Sequence, residues 1–489
     1  MSDHRCCSFE LDRFPYNRPR LKGLTSGCQF SADEGALVEH DGRFWCELHL
    51  PATGKIGWDK ARIAKFNACV ERHIASHLEG PFIDLSGVVF PGEMHFSDER
   101  MGNPLHVLTG RDEIGRKGKS RKLPAILFIK SVFTKTAYFL KITFADTTHF
   151  DECTAIGQLI FWDCVFKDDV HFDGAAVWDL NLAANHFGGN AYLRAAKLGS
   201  CTFSESYFSG RCWMQNSELK GYCRFTNAVF CGEVSLDCNN ESKLTLASLV
   251  DFSGSEFFGR ACFNNRQFEG TTDFSDTIFH VAPEFHGCKL HQDTNFLNAQ
   301  FLDTGNAIRR EVLGVYPSPV DAARAYRTLK LAMEGARARH EEARFFALEQ
   351  RSLRVQRAIP LHARLLSLAY EWSSDYGQSI LRPICALLIT LAVFLFIYLA
   401  IFFPLSGVNL GWVAFSARMA LSNIFKPFEL FGSRAVSELL TDTYVVSAQV
   451  PVSQYKVLAL GILGASQTIL SFGLLTLLLL AVRRRFKID

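Results

Sequence analysis

Excess charge of either sign is wanting. The 489 residues carry 52 Lys and Arg against 50 Asp and Glu. Bulk electrostatics therefore selects no partner class. A secretory leader is also missing, because residues 1–27 are polar and basic with no apolar run. The expectation is a reducing, cytoplasmic setting for the segment that follows. Catalytic signatures are missing too: there is no Walker-type phosphate loop, no G-x-S-x-G elbow and no HExxH. The stretch His340-Glu-Glu-Ala-Arg344 lacks the second histidine that a zinc protease needs. The fifteen histidines show no ligand spacing outside the first 80 residues. An enzyme is not expected.

Phenylalanine, by contrast, is abundant, with 43 residues. Many of them form a ladder from about Phe128 to Phe301, with a large apolar residue at every fifth or sixth position. It opens with Phe128, Phe133, Phe139, Phe144 and Phe150 and ends with Phe274, Phe279, Phe285, Leu290, Phe296 and Phe301. Steps of five and six often alternate, which gives a local period of eleven, and one polar slip falls at Glu241. The residue two before each rung is usually small or β-branched, as at Ser131, Ala137, Thr148, Cys164, Ser206, Cys223, Thr277 and Ala299. Neither a helix nor a single strand writes this pattern. A short repeat sustained this long predicts a solenoid, in which each repeat buries its face only against its neighbours.

The ladder resembles the pentapeptide-repeat family in its phenylalanine-rich form, over roughly 180 residues. That resemblance implies a mainly β chain: a right-handed quadrilateral β-helix with phenylalanines stacked inside and the small residues in the second inward slot. At four rungs per coil and about 4.8 Å per coil, roughly eight coils make a rod on the order of 40 Å long. The ladder begins at Leu85, Phe90 and Phe96 and is interrupted by a basic, rung-free loop at residues 99–123. The solenoid domain is therefore assigned to residues 81–303.

Fifteen cysteines are enough for a disulfide scaffold. Several instead occupy the small slot (Cys153, Cys164, Cys201, Cys212, Cys223, Cys288) and read as small buried apolar groups. Residues 1–80 form a separate head. There Cys7, Cys28 and the Cys46-Glu-Leu-His49 step are a candidate zinc-ligand set, with His40 as a rival, since zinc takes four thiolate or imidazole ligands. The alternative is free thiols in a small α+β cap. Lys60 to Leu78 reads as an amphipathic helix with Ile63, Phe66, Val70 and Ile74 on one face.

Residues 304–380 are an α-helical linker. Ser318-Pro319 predicts a helix start, and the pattern runs on to about Gln356 as one helix. Tyr370-Glu-Trp372 lies in a juxtamembrane segment. Residues 381–489 form a two-helix transmembrane domain with spans at about 383–403 and 457–482, each long enough for a hydrocarbon core of roughly 30 Å. Basic residues flank both outer ends (Arg354, Arg357, Arg364 and Arg382, then Arg483-Arg-Arg485), which places both termini in the cytoplasm.

Between the spans, residues 412–425 are amphipathic, stop at Lys426-Pro427, and suggest a re-entrant helix. The potassium filter TVGYG is absent. Gly464, Gln467, Thr468 and Ser471 share one face of the second span, and Arg418 is a charge in the loop helix. Such a face serves either helix packing or pore lining. Two function classes follow, and the amphipathic, Pro-terminated loop helix, which a mere anchor does not need, favours the first. One is a homo-oligomeric, channel-like pore controlled by a cytoplasmic β-helix that meets an unknown protein or ligand. The other is a membrane-anchored scaffold with no transport activity. A bacterial inner membrane is what the family resemblance implies. Nucleic acid is not an expected partner.

Overall fold

A computed structural model describes residues 7–11, 27–30, 37–97, 124–239, 245–246, 249–302, 318–356, 359–402, 410–429 and 454–486. The basic loop expected at 99–123 lies outside the described residues. Two compact units divide the chain, Met1–Ala332 and Met333–Asp489.

The first unit is a parallel β-solenoid of about eight turns. Each turn adds short strands to stacked parallel sheets of 8, 13 and 8 strands. The largest sheet is fed twice per turn, because strands such as Thr154–Trp162 pair with Val132–Phe133 at one end and Ala137–Leu140 at the other. One column of pairs reads Phe144, Phe166, Phe187, Phe208, Phe230, Phe257, Phe279, Phe301. A turn is thus 21 or 22 residues, except from Phe230 to Phe257, which takes 27. The polar slip at Glu241 falls inside that longer turn.

Coil spacing dictates ring geometry. Stacked strands lie about 4.8 Å apart, and the in-register rings follow. Phe128 stacks on Phe150 at 4.8 Å and Phe150 on Phe172 at 4.9 Å, with planes within 10°. Neighbouring columns meet edge to face, as Phe139 and Phe150 do at 5.6 Å and 87°. Offset stacks and T-shaped contacts are both favourable arrangements of aromatic quadrupoles.

The small slot also points inward: Ser131, Ala137, Cys201, Cys212, Ser217, Cys223 and Ala228 are all fully buried. Its hydroxyls and thiols serve main-chain carbonyls. Ser131 Oγ donates to Leu85 O (2.8 Å), Ser206 Oγ to Leu182 O (2.7 Å), Thr277 Oγ1 to Phe252 O (2.9 Å) and Cys164 Sγ to Phe139 O (3.1 Å). A buried polar group costs stability unless it is bonded in this way. Burial pushes the Cys164 and Cys212 thiols up to about 12, which keeps them protonated and inert.

The period of eleven is half a turn. Left-handed residues recur two positions after every second rung, at Lys130, Lys141, Glu152, Asp163, Gly174, Ala184 and Ala195. Ser131 N donates back to Phe128 O (3.2 Å), the bond of a turn whose third residue needs positive φ. At the opposite type of corner stands a column of glycines. A Cβ on Gly210 would lie 2.3 Å from Gly189 O, and one on Gly232 would lie 2.3 Å from Gly210 O.

One slot breaks the rule. Arg266, two before Phe268, is buried. Its guanidinium donates to Ser217 O (2.6 Å), Met214 O (3.1 Å) and Leu236 O. It thus reaches two coils back across the longer turn and satisfies carbonyls there.

Both ends of the solenoid are covered. In the head, Val38–His40 pairs antiparallel with Arg43–Trp45 around Asp41-Gly42, both at positive φ, the turn chemistry an Asp-Gly hairpin requires. Helix α1 (Lys60–His77) is capped by Asp59, whose side chain accepts from Arg62 N (2.8 Å). It buries Phe66, Val70, His73 and Ile74, and Phe66 stands edge-on to Phe90 of the first coil at 6.0 Å. At the far end, helix α2 (Pro319–Gly335) places Tyr326 5.8 Å from Phe301 and Thr328 Oγ1 3.1 Å from His286 Nδ1. These covers remove open sheet ends that would otherwise recruit another chain.

The helix expected from Ser318 to Gln356 is two. Helix α3 (Arg339–Val355) follows α2 after a break at Ala336–Ala338, where Arg337 is left-handed at φ 57°. Gly335 just before the break is the poorest helix former after proline. In the second unit come α4 (Leu361–Ser374), α5 (Leu381–Phe402), α6 (Leu410–Glu429) and α7 (Gln454–Phe486). The loop helix α6 thus begins earlier than expected and runs through Pro427 instead of stopping there. Helices α5 and α7 are long and apolar enough to cross a membrane.

Phe150→Ala is expected to destabilise the solenoid by about 3–5 kcal/mol, because two ring stacks and two edge contacts are lost and leave a cavity. Gly210→Ala should cost about 1–3 kcal/mol through its backbone clash. Trp178→Ala, at a position 72% exposed, should change stability by less than about 0.5 kcal/mol. Urea unfolding followed by circular dichroism checks all three.

Candidate metal centre and polar helix core

The head brings Cys7, Cys28, Cys46 and His49 together, with their ligand atoms all within 4.8 Å of one another. The hairpin delivers Cys46 at the end of its second strand. The chain then folds back, with Leu50 N donating to Cys46 O (2.9 Å), so that His49 returns to the same sulfur. Cys46 Sγ lies 3.3 Å from His49 Nδ1 and 3.8 Å from Cys28 Sγ. Cys7 Sγ lies 3.5 Å from His49 Nδ1. Main-chain N–H groups point at the sulfurs: Cys46 N to Cys7 Sγ and His49 N to Cys46 Sγ, each at 3.4 Å.

The histidine tautomer follows from its partners. His49 Nε2 is 3.0 Å from Ser86 O, and a carbonyl only accepts. Nε2 must therefore carry the hydrogen, which leaves the Nδ1 lone pair facing the thiols. Phe9 stacks on the imidazole at 4.0 Å and fixes its plane. Without a cation the three sulfurs cannot ionise together. The thiols of Cys28 and Cys46 donate toward Cys7 and hold it well below the ordinary thiol range. Cys28, Cys7 and burial push Cys46 well above it. The group can hold a metal ion. The rival His40 is turned elsewhere, with Nε2 2.8 Å from Thr53 Oγ1.

A second group that could hold a metal joins two successive coils of the solenoid. His149, Asp151 and His171 are buried, and their ligand atoms also fall within 4.8 Å. His149 Nδ1 is 2.9 Å from Asp151 Oδ2, and the two imidazoles stack at 4.5 Å. Sequence spacing missed it because His149 and His171 are 22 residues apart and become neighbours only when coils stack.

The polar face of the second span also has a definite placement. Gln467 is fully buried between α5, α6 and α7. Its Oε1 accepts from Tyr398 OH (2.9 Å), and its Nε2 donates to Ala420 O (2.8 Å). Asn423 Nδ2 donates to Tyr398 OH (3.1 Å). Gly464 is buried against Asn423, whose Nδ2 is 3.3 Å from where a Cβ would stand. Thr468 Oγ1 donates to Gly464 O of its own helix (2.9 Å). Ser471 is buried, and its Oγ has no hydrogen-bond partner among the described residues. Arg418 is exposed on α6 and joins none of these contacts. Tyr398 and Asn423 were not anticipated. Their signal is polarity inside otherwise apolar helical stretches.

No family model, no curated protein and no solved structure matches the chain.

Proposed function

We propose that this chain is a membrane-anchored β-solenoid scaffold: a repeat domain with a zinc-bearing head, held to a bilayer by the α5–α7 module and catalysing no reaction. The observation that carries this reading is the Tyr398–Asn423–Gln467 core. It joins all three helices through hydrogen bonds made within one chain, as in a module built for packing, although Asn423 Oδ1 has no partner among the described residues. The solenoid itself, with paired inward slots and rings stacked in register, supports the pentapeptide-repeat kinship and its right-handed, four-sided coil. Both termini lie in the cytoplasm of a bacterial inner membrane on this reading, supported by Arg382 before the first span and Arg483 after the second. The solenoid surface would then meet an unknown cytoplasmic protein or ligand, and nucleic acid is not its target.

Zinc is supported by distances. Zn–S of about 2.3 Å and Zn–N of about 2.0 Å in a tetrahedron put S···S edges near 3.8 Å and S···N edges near 3.5 Å. The head has edges of 3.8, 3.5 and 3.3 Å. The Ser86 carbonyl supplies the outer hydrogen bond that a ligating histidine usually makes.

A second reading, a homo-oligomeric channel-like pore, is favoured by one observation. Helix α6 packs on both candidate spans, more than a simple anchor requires. In that case Arg418 and the exposed faces of α6 and α7 would meet neighbouring subunits or the pore, while Gln467 stays inside its own subunit.

Purified full-length protein should contain about one zinc per chain by elemental analysis, and Cys46→Ser should lose most of it. Cys69→Ser, outside the cluster, should retain it; zinc content unchanged in Cys46→Ser, with the His149 group removed by His171→Ala in both proteins, rules the site out. In ion-flux assays with proteoliposomes, the scaffold reading expects no conductance above protein-free vesicles. Flux that falls on Arg418→Gln would instead establish the pore.

A further inference from the structure

The elbow between α4 and α5 contains a built groove. Asp375, Tyr376 and Gly377 are all left-handed, with φ of 52°, 53° and 81°. Gly377 N and Ser379 N both donate to Ser374 O at 3.0 Å. Tyr376 is buried, and its hydroxyl bonds Ser367 Oγ (2.8 Å) and Arg354 (3.3 Å). Arg351 ties α3 to the elbow through Glu371 (2.8 Å) and Asp375 (2.9 Å). The angle between α4 and α5 is therefore preset. Between the two helices lies a cavity of about 470 Å³, lined by Leu368, Trp372, Cys385, Ala386 and Ile389, with Glu371 and Arg382 as its polar members. That volume falls in the usual range for a small-molecule site.

Among the described residues, the outer side of α4 is apolar and uncovered. Leu361, Leu365, Leu368 and Trp372 recur at helical spacing and are 72%, 56%, 48% and 70% exposed. The other side is engaged by α3 through Glu371 and by the elbow through Ser367. An exposed leucine stripe on a surface helix marks a partner. Continuity identifies it, because α5 enters its apolar run directly at the end of the elbow. Trp is enriched at headgroup level, and Arg near a helix end reaches it with its charged head.

We propose that α4 lies in the headgroup layer with its leucine stripe toward the acyl chains, and that the elbow groove binds one anionic phospholipid. Its phosphate pairs with Arg382 and its chain runs along Trp372 and Ile389. Arg382 is half-exposed; it donates to Glu371 O (2.9 Å) and stands 3.5 Å from Asp375. With five N–H donors it keeps capacity for a phosphate as well. Around the elbow, Arg351, Arg354 and Arg382 outnumber Glu371 and Asp375, which favours an anionic headgroup over a zwitterionic one.

This inference rests on the membrane-anchor reading, so the test separates the two. Full-length protein is reconstituted in nanodiscs of phosphatidylcholine with a minor share of phosphatidylglycerol, and native mass spectrometry counts the lipid retained on release. One phosphatidylglycerol should remain per chain. Arg382→Gln should reduce that retention by about tenfold and Arg382→Lys by less, since a point charge replaces a fork. Leu388→Ala, exposed on α5 outside the groove, should leave it unchanged. The same preparations are floated with vesicles. Flotation with equal lipid retention in Arg382→Gln overturns the lipid site and leaves the anchor standing. Failure to float overturns both.

Discussion

The spacing of parallel strands, about 4.8 Å, is the constraint on which the first unit depends. It is set by main-chain hydrogen bonds and cannot stretch to suit side chains. Every inward position must therefore hold a group that packs on the one below it at that distance. Flat rings do this well, which is why Phe144 to Phe301 form an unbroken column of eight. The remaining inward space is narrow and borders carbonyls. Ser, Thr and Cys fill it because each brings a small volume and one donor. Corners obey the same spacing, and a corner that passes close to the one below admits only glycine, as at Gly189, Gly210 and Gly232.

A stacked structure has two ends, and neither can be left bare. The head solves this at one end by laying Phe66 across Phe90, and α2 solves it at the other with Tyr326 across Phe301. The Cys7–Cys28–Cys46–His49 cluster fits this role. A small head has little core of its own, and a cation held by Cys7, Cys28, Cys46 and His49 would tie its separate strands together. The link continues into the solenoid, since His49 bonds Ser86 at the first coil.

Legibility in the sequence tracks the range of the interaction. The ladder was plain because each rung is imposed on every coil, and repetition makes a weak local signal strong. The four head ligands were also readable, because Cys46 and His49 are three residues apart and share one turn. The His149–Asp151–His171 group was not readable, since its spacing is a full coil. The helix break at Ala336–Ala338 was hidden by an amphipathic pattern that runs on through it. Arg266 was hidden for a different reason: a basic residue in an inward slot contradicts the repeat, and only the longer turn explains it.

The helical unit turns on a residue whose partners the sequence leaves open. Gln467 stands out in an apolar helix, and an unpaired amide in such a setting is costly. Sequence alone leaves two ways to relieve that cost, water in a pore or a polar neighbour. Three-dimensional packing supplies the neighbour twice over, Tyr398 from α5 and Asn423 from α6. A side chain whose amide nitrogen and oxygen are both engaged inside one chain gains little by turning toward water. Any pore in an assembly of this chain must then be lined by faces the triad does not use. That shifts attention from the polar stripe of α7 to the outward side of α6, where Arg418 is exposed.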